Sequence, residues 1–180
     1  MDLTKDGSLR PSDTSPGQWD PDESQDEITL AGFEWSMLRF ASAFERCVLQ
    51  IANAAGEQNL SVQEVLFLYL VSLQNSPQTC ASLAHQLNRE DVTNIQYIMR
   101  KLAGRGLVQK AREPKTKNYT FTLTKQGYGF TQRYSNIKKS LLVNRLNRLH
   151  DTGAALTNVR ALVNELASVY DEVARESPML

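Results

Sequence analysis

Six polar side chains fall on one face of a predicted helix near the middle of the chain. They are Thr93, Asn94, Gln96, Tyr97, Arg100 and Lys101. The helix is predicted over 91–103, because apolar residues recur there every three or four positions. This apolar stripe consists of Val92, Ile95, Met99 and Leu102. Asn and Gln can each bind adenine through two hydrogen bonds, Arg can bind guanine in the same way, and Lys and Arg neutralise phosphates. The polar face therefore has the side-chain types that contact double-stranded nucleic acid.

The charges of the chain are separated along the sequence although they sum to zero. Residues 1–28 carry eight acidic and two basic side chains, net −6, whereas residues 89–148 carry three acidic and fourteen basic ones, net +11. A basic segment of this size indicates a polyanionic partner, although a solvated basic face is the alternative for the charge alone. Within this segment, the side chains expected to contact phosphates are Arg100, Lys101, Arg112, Lys115 and Lys117.

The residues that would catalyse a reaction or bind a metal are not grouped in the sequence. HExxH, GxxxxGK and GxSxG motifs are absent, and His85 and His150 have no Cys, Asp or Glu at ligand spacing. We therefore expect no enzyme activity, no metal and no cofactor. Cys47 is expected to be a buried structural thiol. Cys80 lies near the predicted start of a helix, where its pKa could be lowered.

The sequence gives no indication of export or of a membrane partner. It contains no run of 18 apolar residues, and its first six residues contain no apolar stretch of the kind found in signal peptides. We therefore expect a cytoplasmic protein.

Low apolar content, three prolines and an excess of acids predict that residues 1–27 form a disordered acidic tail. A long helix is predicted over 28–56, and helices over 124–176 end the chain of 180 residues. Between them, residues 60–123 give the order helix, helix, helix and two-stranded hairpin. In this region Ser61 and Glu64 have the spacing of a capping box.

This element order is that of a winged helix, in which the second helix of the helix-turn-helix enters the major groove of DNA. We therefore predict a mainly α fold with a small β-hairpin wing, in which long N- and C-terminal dimerisation helices flank a winged-helix DNA-binding domain. The side chains expected to contact base edges are Thr93, Asn94, Gln96 and Tyr97.

The two flanking helical regions carry apolar stripes that a winged helix of about 65 residues is too small to cover. We therefore predict a homodimer, while the packing of the two stripes on each other within one chain stays open as the alternative. The residues expected at the dimer interface are Leu30, Phe33, Met37, Leu156, Val159, Val163, Leu166 and Tyr170.

Four short motifs resemble those of the multiple-antibiotic-resistance regulator (MarR) family. They are Leu60-Ser61-Val62-Gln63-Glu64-Val65-Leu66, Leu83-Ala84, Leu102-Ala103-Gly104-Arg105-Gly106-Leu107-Val108 and Leu123-Thr124-Lys125-Gln126-Gly127. The resemblance covers about residues 30–175 and implies a homodimeric bacterial transcription regulator whose winged helices bind a pseudo-palindromic operator. Family members often bind small aromatic carboxylates between the dimer and DNA-binding parts, which makes a small aromatic effector possible. Aromatic residues that could line such a pocket are Phe33, Trp35, Phe40 and Phe44, although core packing explains them equally well.

The predicted wing departs from the family pattern. Wings of the family usually carry an Asp-x-Arg that places the Arg in the minor groove, and residues 114–118 have neither this Asp nor this Arg. Lys115 and Lys117 keep positive charge but lack the planar guanidinium. We therefore expect DNA binding that is weaker or more sensitive to salt than is usual in the family. A winged helix that contacts another protein and does not bind DNA remains the alternative function.

Overall fold

The computed structural model describes residues 24–74, 76–112, 119–147 and 152–179. Helices α1 to α4 are Gln25–Ala54, Val62–Leu73, Cys80–Gln86 and Val92–Gly104. Strands β1 to β3 are Gln78–Thr79, Val108–Arg112 and Tyr119–Leu123. Helix α5 is Lys125–Lys138, and a π-helical turn over Lys139–Val143 joins it to α6, Asn144–Leu146. Helix α7 is Thr152–Glu176, followed by a 3-10 turn over Ser177–Met179.

Capping side chains fix where the first two helices begin. Ser61 and Glu64 form the predicted capping box of α2: Ser61 Oγ accepts from the Glu64 N–H at 3.2 Å, and Glu64 Oε2 accepts from the Ser61 N–H at 2.7 Å. Ser24 and Glu27 form a second box, which starts α1 three residues before the predicted position 28. The remainder of the predicted acidic tail lies outside the described residues.

The strands form a small antiparallel sheet with the order β1-β3-β2 within the described residues. The two predicted strands are confirmed, with Val108 opposite Leu123 and Arg112 opposite Tyr119. The two-residue strand β1, before α3, was not predicted because it is too short to show alternation. Its Gln78 is buried, and Gln78 Oε1 accepts hydrogen bonds from Ser82 and Gln86.

The core of the described chain lies between the C-terminal part of α1, helices α2, α3, α4 and α5, and the sheet. It contains three residues of the predicted stripe of α4, Ile95, Met99 and Leu102, each with no exposed surface, whereas Val92 is half-buried. Within the predicted helical region 124–176, the π-helical turn interrupts the first helix, and the Ser140 hydroxyl donates there to the Ile137 carbonyl at 3.0 Å. None of the described helices combines the length and apolarity needed to cross a membrane.

Candidate nucleic-acid interface

Helix α4 separates a buried apolar face from an exposed polar one. Ile95, Ile98, Met99 and Leu102 are buried. Five of the six polar residues singled out from the sequence are exposed on the opposite side, namely Thr93, Gln96, Tyr97, Arg100 and Lys101, and Asn94 is half-buried at its margin. The helical phase predicted from the sequence is therefore confirmed, and α4 offers hydrogen-bonding and cationic groups along one accessible side.

Asp91, the residue before α4, organises the start of this helix. Arg89 binds both carboxylate oxygens of Asp91, with Nε 2.8 Å from Oδ1 and Nη2 2.6 Å from Oδ2. The Asn94 amide donates to Oδ2 at 3.2 Å. The hydrogen bond from Arg89 is the main reason that the pKa of Asp91 falls to about 2. One N–H of the Asn94 amide is therefore already engaged by Asp91, whereas the Gln96 amide has no such partner among the described residues.

Lys101 has a structural partner that the sequence did not reveal. Its Nζ lies 2.9 Å from Oε1 of Glu64, a carboxylate whose side chain is only 1% exposed. Burial raises the pKa of Glu64, but hydrogen bonds from the Ser61 backbone and from Lys101 outweigh it, so that the pKa lies below its usual range. The ammonium of Lys101 thus compensates a buried charge as well as facing solvent.

Arg105 and Arg133 also hold the fold together. Arg105 donates to the carbonyls of Gln58 and Asn59 at 3.2 and 2.9 Å, and Arg133 donates to the Ala55 carbonyl at 2.7 Å. These contacts fasten the end of α4 and the middle of α5 to the loop between α1 and α2. The basic segment therefore contains structural cations in addition to those available to a polyanion.

One face of the β2-β3 hairpin extends the positive surface beside α4. Lys110, Arg112 and Tyr119 share this face with the buried Phe121, which lies opposite Lys110, and all three are exposed. Lys110 Nζ lies 3.6 Å from the centroid of the Tyr119 ring. Lys110 and Tyr119 were not singled out from the sequence, although the period-two pattern of the strands places them on the same side as Arg112. Lys115 and Lys117 lie outside the described residues.

The two cysteines differ from what was expected. Burial raises the pKa of the Cys80 thiol, and the nearby charge of Lys110 only partly opposes this, so the helix start does not lower this pKa. Cys47 is half-buried where a buried thiol was expected. It lines an apolar cleft of about 230 Å³ between α1 and the end of α5, together with residues that include Ile137, Leu141 and Arg145. No group of three metal-ligating side chains occurs in the part of the chain that the structure describes.

The flanking helices leave apolar surface uncovered. Of the residues expected at a dimer interface, four are exposed: Leu30, Leu156, Val159 and Tyr170. The other four are half-buried: Phe33, Met37, Val163 and Leu166. Tyr170 donates its hydroxyl to Glu34 of α1 at 2.6 Å, and Asp171 accepts from Asn88 in the turn before α4. In the described chain α7 thus reaches α1 through the hydrogen bond of Tyr170, and both stripes stay largely uncovered.

Comparison with known proteins identifies the fold. Residues 60–127 match a family model described as a winged helix DNA-binding domain. No curated protein matches the chain in sequence. A solved MarR family transcription regulator is similar with 16% identity over 84% of this chain and 96% of that one, at a TM-score of 0.65.

Two similar solved structures contain DNA. The complex of MepR from S. aureus with DNA is similar with 14% identity over 76% of this chain and 97% of the MepR chain, at a TM-score of 0.62. Reduced AbfR bound to DNA is similar with 18% identity over 79% of this chain and 98% of the AbfR chain, at a TM-score of 0.63. Residues 60–127 are thus a winged-helix domain, and the chain has the fold seen in solved MarR-family regulators, which confirms the fold that the resemblance of its four motifs implied.

Proposed function

We propose that this protein is a transcription regulator that binds specific sequences in double-stranded DNA and performs no chemistry on a substrate. The observation that carries this proposal is the exposed polar face of α4, which lies opposite the buried residues Ile95, Met99 and Leu102 and beside the basic face of the hairpin. In a winged helix, this is the face that enters the major groove. DNA is a polyanion that matches the charge of this surface.

Each residue of the interface has its own proposed part. Thr93, Gln96 and Tyr97 face the base edges, and Asn94 joins them although Asp91 engages one N–H of its amide. Arg100 and Arg112 contact phosphates, as Lys115 and Lys117 do by their position in the sequence. Lys101 adds to the positive charge of the surface that faces the DNA and remains paired with Glu64.

The active form is a homodimer built from α1 and α7. Exposed apolar side chains on both helices support this, because a monomer would leave a large apolar patch in water. Leu156, Val159 and Val173 of α7 are each more than half exposed, and Phe40 of α1 is 63% exposed. A symmetric dimer also presents two copies of α4 to two half-sites about one helical turn apart.

The apolar cleft between α1 and α5 is the proposed site for a small aromatic carboxylate. Its volume of about 230 Å³ and its lining of Ile51, Ile137 and Leu142 suit an aromatic ring, and Arg145 can pair with a carboxylate. Because α1 belongs to the proposed dimer interface and α5 packs on the winged helix, an occupant there would contact both parts.

Binding to the DNA that flanks the protein's own gene tests the function. A labelled duplex from this region should shift in an electrophoretic assay and should resist an excess of random competitor DNA. Replacing the α4 face, for example with Gln96→Ala, should remove the preference over the competitor. If wild-type protein shifts neither duplex at low salt, the protein does not bind DNA and a protein-contacting winged helix becomes the better hypothesis.

A further inference from the structure

A cleft of about 450 Å³ lies between α4, the start of α3 and the hairpin, and two cations from different elements line it. Arg100 lines it from α4, and Lys110 lines it from β2. Val92 and Phe121 contribute apolar walls, and Gln96 lies beside Arg100. No carboxylate is among the described residues that line the cleft. The cleft thus combines two positive charges with no acidic group among the lining residues that the structure describes.

Lys110 is held in a defined place. Its Nζ lies 3.6 Å from the centroid of the Tyr119 ring, within the range of a cation–π contact. Tyr119 is the diagonal neighbour of Lys110 in the antiparallel pair, because Lys110 is opposite Phe121 and Arg112 is opposite Tyr119. The ring occupies one side of the ammonium, and its other N–H donors remain available to a ligand.

Arg100 is also partly fixed. Its Nε donates to the carbonyl of Gln96 at 3.3 Å, and its terminal nitrogens have no partner among the described residues. Neighbouring cations are already engaged, since Lys101 pairs with Glu64 and Arg89 with Asp91. Arg100 and Lys110 therefore differ from these two cations in having no carboxylate partner in the described chain.

We propose that Arg100 and Lys110 together bind one backbone phosphate of DNA over the mouth of this cleft, and that Tyr119 is the residue that positions Lys110. The proposal rests on the proposed function. We place α4 in the major groove and the hairpin towards the adjacent minor groove. The sugar-phosphate backbone that separates the two grooves must then cross the gap between α4 and the hairpin. That gap is the cleft, so a phosphate on this backbone lies between the two cations.

Salt-dependent binding of random DNA tests the pair. The probe is a fluorescein-labelled random-sequence duplex of about 30 base pairs, roughly three helical turns. Its anisotropy gives the affinity across a KCl titration from about 50 to about 200 mM. The salt slope is the change in log affinity with log KCl concentration, and Lys110→Met should make it less steep by about one per protomer. Between about 50 and about 200 mM KCl, the affinity of the variant should therefore fall by a factor about threefold smaller than that of wild type for each protomer. Tyr119→Leu should weaken binding at low salt by about two- to fivefold, and Tyr119→Phe, which keeps the ring, should restore it.

Lys138→Met is the matched control. Lys138 Nζ also lies over a tyrosine ring, 4.8 Å from the centroid of Tyr69, but Lys138 is on α5 and does not line the cleft. The Lys138→Met substitution removes the same charge and the same kind of contact as Lys110→Met, and it should leave the salt slope unchanged. An unchanged slope in Lys110→Met, or an equal loss in both variants, would overturn the phosphate site and leave the proposed function standing. If wild-type protein shows no salt-dependent binding of the duplex, both proposals fail.

Discussion

Lys101 serves two purposes that a substitution cannot separate easily. It lies on the exposed face of α4, and it is also the charged partner of the buried Glu64, whose Oε1 has no other partner among the described residues. A loss of DNA binding in a Lys101 variant would therefore combine a lost contact with a less stable domain. Arg100 on the same face has no carboxylate partner in the described chain and is the cleaner residue for studies of binding.

Lys101→Met should destabilise the protein measurably. We expect the free energy of unfolding to fall by about 1–2 kcal/mol, because a buried carboxylate loses its partner while solvent screens the half-exposed ammonium of the wild type. Urea denaturation near neutral pH measures this difference, and Arg100→Met should stay within about 0.5 kcal/mol of wild type. Equal stability of the two variants would mean that the ion pair contributes nothing.

The same pair predicts the direction of a pH effect. Because the pKa of Glu64 is lower in the folded than in the unfolded protein, its contribution is present above about pH 4.3 and is lost as the pH falls through the folded pKa. The stability difference between wild type and Lys101→Met should therefore shrink as the solution is acidified below this value. Denaturation curves over a pH series measure it, and a difference that grows in acid would contradict the assignment.

Gln96 should determine sequence preference. Gln96→Ala is expected to cost roughly 1–3 kcal/mol per subunit on the preferred site, since a glutamine can bind adenine through two hydrogen bonds, and little on random DNA. Gln109→Ala is the matched control, because Gln109 lies on the other face of β2 and donates to Thr122 at 2.9 Å. Competition binding with specific and random duplexes gives both quantities. Parallel losses on the two duplexes would show that Gln96 does not contact bases.

At the scale of the elements, Gly127 determines how α5 meets the strand β2. A Cβ at this position would lie 1.9 Å from the carbonyl oxygen of Leu107, a separation that no side chain tolerates. The preceding Thr124 caps α5 by accepting from the Gly127 N–H at 3.0 Å, and its hydroxyl donates to the Gly106 carbonyl at 2.6 Å. The Leu-Thr-x-x-Gly motif thus joins the start of α5 to the link between α4 and β2 through a close backbone contact.

Gly127→Ala should therefore disrupt this junction. We expect a loss of about 3 kcal/mol in the free energy of unfolding, because the backbone of Leu107 must move away. Gly129→Ala is the control two residues later, where the added Cβ meets only the flexible end of Arg133 at 3.4 Å. That variant should be neutral or up to about 1 kcal/mol more stable, as expected for Gly to Ala within a helix. Thermal denaturation of both variants checks the contrast, and similar midpoints would refute it.

The elements that the sequence predicted well depend on local patterns. The stripe of α4, the capping box at Ser61 and the alternation of β3 involve residues within a few positions of each other. Strand β1 could not be predicted in the same way, because its partner β3 lies about forty residues further along the chain. The π-helical turn after Lys138 was also not predicted from the sequence, because the apolar spacing there fits an ordinary α-helix.

Side-chain pairs that form through tertiary packing also could not be predicted from the sequence. Glu64 and Lys101 come from different helices, and only the fold brings them together. The position of Cys80 at a helix start suggested a lowered pKa, but packing buries the thiol, and burial has the larger effect in the opposite direction. The polar face of α4 was predictable, whereas which of its side chains are already engaged, as Asn94 and Lys101 are, required the structure.

At the scale of the whole molecule, the described chain leaves α7 without a buried residue although this helix is rich in apolar side chains. Its contacts with the rest of the chain include the hydrogen bond of Tyr170 to Glu34 on α1 and that of Asp171 to Asn88 beside α4. A helix of 25 residues with this composition is expected to pack against a further apolar surface. A second copy of α1 and α7 offers such a surface with matching residues.

A double substitution, Leu156→Glu with Val159→Glu, should convert the proposed dimer into monomers. Both side chains are about half exposed in one chain, so the charges cost little in the monomer but would be buried without partners in the dimer. Sedimentation at micromolar concentration should give about twice the chain mass of 20.3 kDa for wild type and the single mass for the variant. Leu73→Glu is the control, because Leu73 is a 56% exposed leucine at the end of α2, outside both flanking helices. A monomeric wild type, or a Leu73 variant that dissociates as readily, would contradict an interface formed by these helices. If the dimer is the form that binds DNA, the double variant should also lose affinity for a two-half-site duplex more than for random DNA, because each monomer reaches only one half-site.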